Sequence, residues 1–112
     1  MKTDIVDTNC LMLLDKIDHL SLLTRTSDRV VTTDRVVFEF GREIQCVAGI
    51  YQYDTEQYDE LQLQFSVGES SCIALALETS NTILIVDDKR ARKVAEAKGI
   101  VCTGTLGLIL LA

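Results

Sequence analysis

A chain of 112 residues is long enough for one domain that buries roughly two-thirds of its unfolded surface without disulfides or a structural metal. Hydrophobic residues at 47% and charged residues at 25% exclude an intrinsically disordered tail, a collagen-like repeat and a coiled coil. The formal charge of −6 argues against a general nucleic-acid coat protein, which needs a basic surface, but leaves room for a local basic patch.

Apolar runs such as residues 11–14 and 106–112 fall short of the ~20 residues that cross a bilayer. The start, Met1-Lys2-Thr3-Asp4, carries an acid and leads straight into a strand-like segment, unlike a secretory signal. A cytoplasmic protein without a membrane segment is expected. Cys10, Cys46, Cys72 and Cys102 are widely separated and form no C-x-x-C pair, so buried thiols are expected rather than a metal or redox site.

In chain order, two periodicities alternate. Asp4-Ile5-Val6 reads as a buried strand, and residues 11–23 follow with Leu11, Leu14, Ile17, Leu20 and Leu23 at helical spacing. Val30-Val31-Thr32 is a second strand; Thr33 or Asp34 caps a helix through Phe40, with Gly41 as its stop. Residues 47–53 are strand-like, and residues 54–65 place Tyr58, Leu61 and Phe65 in a helical pattern. Ser66-Val67-Gly68-Glu69 fits a capping box, before a helix with Ile73, Ala76 and Leu77 inward. The continuous apolar run Thr82-Ile83-Leu84-Ile85-Val86 suits a central parallel strand covered on both faces. Residues 89–98 form a charged helix with Ala91, Val94, Ala95 and Ala97 inward, ended by Gly99. Ile100-Val101-Cys102 is the last strand, and Gly104-Thr105 opens a helix at Leu106.

Strands separated by such helices imply right-handed crossovers and a central, mainly parallel sheet in a three-layer α/β/α sandwich. In these sheets the ligand site lies beyond the carboxyl ends of the strands. Asp7-Thr8-Asn9, Asp87-Asp88 and Thr103-Gly104-Thr105 each follow a strand, so all three are expected on one edge.

Ile5-Val6-Asp7-Thr8-Asn9, Val36-Val37-Phe38-Glu39 and Gly68-Glu69 with Ile73-Ala74-Leu75-Ala76 occur in the order of a known family. With Asp87-Asp88-Lys89-Arg90-Ala91-Arg92 and Gly104-Thr105-Leu106-Gly107, the chain resembles PIN-domain nucleases and, among them, the VapC-like toxin group. The resemblance covers nearly the whole chain as a single domain over residues 1–112. It implies a metal-dependent endoribonuclease, the toxin of a toxin–antitoxin pair, with Asp7, Glu39, Glu69 and a fourth acid as catalytic residues. Counting from Glu69 favours Asp87 as that fourth acid, aligning the strand end favours Asp88, and Asp88 is the preferred assignment. The third acid is Glu69 where many family members have Asp, and the family's usual C-terminal helix is longer, so the domain is expected to be short there. A PIN-like module that binds RNA or protein without catalysis is the alternative.

Charge chemistry agrees with this implication. Carboxylates gathered at one edge raise one another's pKa, and a hard cation such as Mg²⁺ or Mn²⁺, which prefers oxygen ligands, relieves the repulsion. Phosphodiester hydrolysis is the matching reaction. Asp7 and Asp88 or Asp87 are the expected principal metal ligands; Glu39 and Glu69 bind a second ion, hold waters or help deprotonate the nucleophile. Thr8, Asn9, Thr103 and Thr105 are expected to orient waters or phosphate oxygens. Lys89, Arg90 and Arg92, with Lys93, either counter substrate phosphate or form a solvated face balanced by Asp87, Asp88 and Glu96. His19 is the only histidine, so a zinc site and a Ser-His-Asp arrangement lack parts. Tyr51, Tyr53 and Tyr58 either stack on bases or belong to the core. Leu106, Leu108, Ile109, Leu110 and Leu111 leave an apolar end that is expected to be buried against a second copy in a homodimer, a partner, or missing native sequence.

Overall fold

The strands expected from the sequence lie in one five-stranded sheet whose four pairings are all parallel. They are β1 (Thr3–Val6), β2 (Arg29–Thr32), β3 (Gly49–Ile50), β4 (Thr82–Ile85) and β5 (Val101–Thr103), ordered β3-β2-β1-β4-β5. The computed structural model describes residues 3–26, 28–41, 44 and 47–111. In the central register Ile5 stands beside both Val31 and Leu84, and all three are buried. β-branched and leucine side chains buried on both faces are what such a strand requires.

Among the described residues there are seven helices, α1 (Thr8–Lys16), α2 (Leu22–Thr26), α3 (Asp34–Phe40), α4 (Thr55–Leu61), α5 (Val67–Glu78), α6 (Lys89–Ala97) and α7 (Thr105–Leu111). The rule of right-handed crossovers assigns α1 to α3 to one face of the sheet and α4 to α6 to the other, giving three layers; α2 packs on β2, α5 on β1 and β4 and α6 on β5, while α3 touches both α1 and α5. α7 returns to pack on α1 and α2. The chain runs outward through β1, β2 and β3, then crosses back to β4 on the far side of β1. The switch point where direction reverses therefore lies between β1 and β4, and the crevice beyond their carboxyl ends is the default ligand site.

Several elements differ from expectation for identifiable reasons. The single helix over residues 11–23 is two. α1 starts earlier, because Asp7 serves as its N-cap, and stops at Lys16. Asp18 takes the left-handed conformation, φ 57°, with Asp18 N–H bonded to Asp15 O and His19 N–H to Leu14 O. This is a Schellman stop, and Asp tolerates the left-handed region better than most residues. Ile17 is consequently exposed rather than inward. Of residues 47–53 only Gly49 and Ile50 pair as strand. Residues 54–65 contain the shorter α4, capped by Asp54, although Tyr58, Leu61 and Phe65 are all buried. In α6, Ala91 and Ala95 are buried, Val94 is half-buried and Ala97 is exposed. Val101 and Leu106 are exposed, whereas Ile100 and Leu108 are buried.

Cys10 and Cys72 are buried and Cys102 is half-buried, none in a disulfide. Burial pushes the Cys72 thiol well above its ordinary value and Cys102 to about 11, as expected for inert structural thiols. Cys46, Met1, Lys2 and Ala112 lie outside the described residues. Among the described residues no helix is long and apolar enough to cross a membrane.

Candidate active site

Asp7 is the first residue beyond β1, at the switch point, and only 2% of its surface is exposed. Its Oδ1 accepts the Thr8 backbone N–H at 2.7 Å, while its Oδ2 is buried without a hydrogen-bond partner. An ionised carboxylate in such a place pays for lost hydration. Burial pushes its pKa up to about 7; the Thr8 N–H opposes the rise, and the nearby charges of Glu69, Glu39 and Asp87 add to it.

Three further acids are thus electrostatically coupled to Asp7. Glu69 is buried in the first turn of α5, within the capping box the sequence predicts. Its Oε1 accepts from Ser66 N–H at 3.3 Å and from the Ser66 hydroxyl at 3.1 Å. Glu39, near the end of α3, is exposed, as is its neighbour Phe38, although Val36 in the same apolar stretch is buried and Val37 half-buried. The Thr8 hydroxyl nevertheless fixes Glu39, donating to its Oε1 at 2.8 Å. Asp87 accepts two bonds from Thr105, N–H to Oδ1 at 2.7 Å and hydroxyl to Oδ2 at 2.6 Å, which ties the end of β4 to the start of α7.

Asp88 is placed differently. It is exposed, and its Oδ1 caps α6 by accepting from Arg90 N–H at 2.8 Å and Ala91 N–H at 3.1 Å. It still borders the same cavity of about 420 Å³, whose other lining residues are Asp7, Thr8, Asn9, Met12, Glu39, Ser66 and Glu69. Asp87 and Asp88 thus stand in different places: the charge of Asp87 raises the pKa of Asp7, and Asp88 lines the cavity.

Gly68 explains how these groups come so close. A Cβ built on it would run into Glu39 Oε1 and stand 2.8 Å from Thr8 Oγ1 and 3.1 Å from Asp7 Oδ1. Only glycine lets the start of α5 lie against the acids.

The remaining expected residues are dispersed. Asn9 is exposed beside the cavity, Thr105 is buried against Asp87, and half-buried Thr103 contributes its carbonyl to Val86 N–H. Lys89 is exposed; Arg90 lies over the Phe65 ring and donates to Gln64 O; Arg92 donates to Val86 O. None of the three lines the cavity. Tyr58 is buried beneath Arg35 and beside Tyr53, so it belongs to the core and its surroundings. His19 is exposed. The sequence offered no signal for Met12, and it marked Ser66 only as a helix cap.

Among the described residues, no three Asp, Glu, His or Cys side chains stand in an arrangement that would hold a metal ion as placed. The donor chemistry does fit a hard cation: the groups around Asp7 are carboxylates, and one buried oxygen of Asp7 has no partner.

A family model described as PIN domain matches residues 3–112. Comparison with curated proteins and with solved structures gives no match. PIN domains are generally nucleases and typically use divalent metals. With the match spanning all but the first two residues, and with a parallel sheet carrying acids at its switch point, the chain belongs to the PIN domain family.

Proposed function

We propose that this protein is a Mg²⁺- or Mn²⁺-dependent endoribonuclease that hydrolyses RNA phosphodiester bonds, and that it is the toxin of a toxin–antitoxin pair acting in the cytoplasm. The observation that carries the nuclease reading is Asp7: a buried carboxylate at the sheet's switch point, with one oxygen unpartnered and three acids close enough to raise its pKa. The toxin assignment rests on the resemblance of the ordered motifs alone.

When bound, the ion supplies positive charge to a substrate phosphate oxygen and acidifies a water. Asp7 would hold it, with Glu69 and Asp88 as further acids on the cavity wall. Asp87 adds negative charge to the cluster while Thr105 keeps it in place. Thr8 holds Glu39 through its hydroxyl and Asp7 through its amide, so one residue sets the aim of two acids. Ser66 does the same for Glu69.

Purified protein incubated with a panel of single-stranded and structured RNAs should cleave in Mn²⁺, stop in EDTA and lose cleavage as Asp7→Asn. A second reading, an RNA- or protein-binding module without catalysis, is favoured by the caps that already occupy Asp87 and Asp88. RNA binding with no cleavage at high protein concentration in Mn²⁺ would select it and overturn the nuclease.

A further inference from the structure

Beneath the acids, two consecutive residues leaving β2, Thr32 and Thr33, meet two consecutive residues of α5, Ser71 and Cys72. All four are at most 1% exposed. The Thr32 hydroxyl donates to Val6 O at 2.8 Å, and the Cys72 thiol donates to the same carbonyl at 3.4 Å. Val6 immediately precedes Asp7, so β2 and α5 both hold the strand end that presents it.

The other two residues form a longer chain of bonds. Thr33 Oγ1 accepts from Val36 N–H at 3.3 Å, capping α3, and lies 2.6 Å from Ser71 Oγ. Ser71 donates to Gly68 O at 2.8 Å. A hydroxyl has one proton, and that of Ser71 goes to Gly68, so Thr33 must be the donor between the two. The direction is then fixed throughout: Val36 N–H to Thr33, Thr33 to Ser71, Ser71 to the Gly68 carbonyl. Neither hydroxyl is left unpaired, as deep burial requires.

This relay joins the first turn of α3, the helix that carries Glu39, to the first turn of α5, which carries Gly68 and Glu69. Apolar contacts alone would also hold the two helices together, but they are non-directional, whereas hydrogen bonds fix distance and angle. The join also sits where clearance is least, since Gly68 already abuts Thr8 and Asp7. We propose that Thr33 and Ser71 are positioning residues whose hydroxyl relay sets the placement of Glu39 relative to Glu69. The proposal rests on the metal-dependent reading given above.

The test compares hydroxyl-deleting variants, Thr33→Val and Ser71→Ala, with hydroxyl-retaining ones, Thr33→Ser and Ser71→Thr. Leu61→Ala, a buried change in α4, serves as a stability control. Mn²⁺ affinity is measured by calorimetry on folded protein, and kcat and KM on a cleaved RNA. The deleting variants should bind Mn²⁺ about 10-fold or more weakly and lose kcat at unchanged KM, the size typical when groups behind a metal site are removed. The retaining variants should stay near the parent, and Leu61→Ala should lower only the melting temperature. If Ser71→Ala does not fold, Ser71→Cys, with its weaker donor, is read by the same criteria. Lower stability with parental Mn²⁺ affinity in the deleting variants overturns the positioning role alone. A parent that binds no Mn²⁺ overturns the metal reading and this role with it.

Discussion

Replacing Asp7 by Asn should make the metal-free protein more stable near neutral pH while abolishing cleavage. The folded-state pKa of Asp7 is about 7 against an ordinary 3.8. A raised acid pKa means that the folded state keeps its proton over a range in which the unfolded state has lost it. Stability from this group is therefore complete below pH 3.8, falls as pH rises, and reaches its minimum above pH 7. At 1.36 kcal/mol per pKa unit the full difference is about 4 kcal/mol, a ceiling reached only if the site neither hydrates nor relaxes. Asn is nearly isosteric, caps a helix as well as Asp, and keeps an acceptor for the Thr8 N–H, so the substitution removes little besides the charge. At ~3–6 °C of melting temperature per kcal/mol for a domain of this size, the variant should melt several degrees above the parent at pH 8. The difference should shrink toward zero at pH 4. Mn²⁺ should then raise the melting temperature of the parent by mass action and that of the variant much less. Thermal melts of both proteins at the two pH values, with and without Mn²⁺, provide the comparison. An unshifted parent in Mn²⁺ together with a variant less stable at pH 8 would refute the shared acid site.

Three further outcomes are expected. Gly68→Ala forces the flexible end of Glu39 aside and crowds Thr8, so cleavage and Mn²⁺ binding should be lost while circular dichroism shows the fold intact; an active variant would contradict the close approach of α5 to the acids. Thr105→Val removes the hydroxyl bonded to Asp87 and leaves that carboxylate short of a partner, which should cost about 1–3 kcal/mol in a denaturant titration. Leu106 and Leu110 are 70% and 79% exposed on one face of α7, so the parent should sediment as a dimer at micromolar concentration and the Leu106→Ser/Leu110→Ser variant as a monomer; a monomeric parent would refute this.

The parallel strands and the edge that carries the acids were legible because apolar, β-branched runs mark β1, β2 and β4, and Asp7 and Asp87-Asp88 follow the first and last of these. Thr82-Ile83-Leu84-Ile85 could only be a strand covered on both faces, and it proved to lie beside β1. The break in the first helix was not legible. Leu20 and Leu23 continue the helical spacing of Leu11 and Leu14, and only the backbone at Asp18 shows that the axis has changed. Exposure at the edges was equally hidden. Phe38, Val101 and Leu106 look like core residues, yet all three are exposed, Val101 on the edge strand β5 and Phe38 and Leu106 on the helices α3 and α7. Thr33 was legible only as a helix cap, and its bond to Ser71 carries no signal because the two are 38 residues apart in sequence. Glu69 was legible twice, as a capping box and as an acid of the ordered set.

That double legibility has a physical basis. Asp7 caps α1, Glu69 closes the capping box of α5, Asp88 caps α6, and Asp87 accepts the first N–H of α7. In a parallel α/β sheet the carboxyl ends of strands and the amino ends of helices coincide, so acids placed there meet unpaired N–H groups and the positive ends of helix dipoles. Those partners let several carboxylates share one edge in the metal-free protein, and they explain why a cap and a site residue have the same sequence signature. Glu39 is the exception that fits the same reasoning. It sits in the last turn of α3, where the dipole disfavours an anion, and its restraint comes from another element, the Thr8 hydroxyl at the start of α1. Of the four acids coupled or adjacent to Asp7, it is therefore the one that no backbone N–H of a helix amino end holds, and the join between α3 and α5 matters most for it.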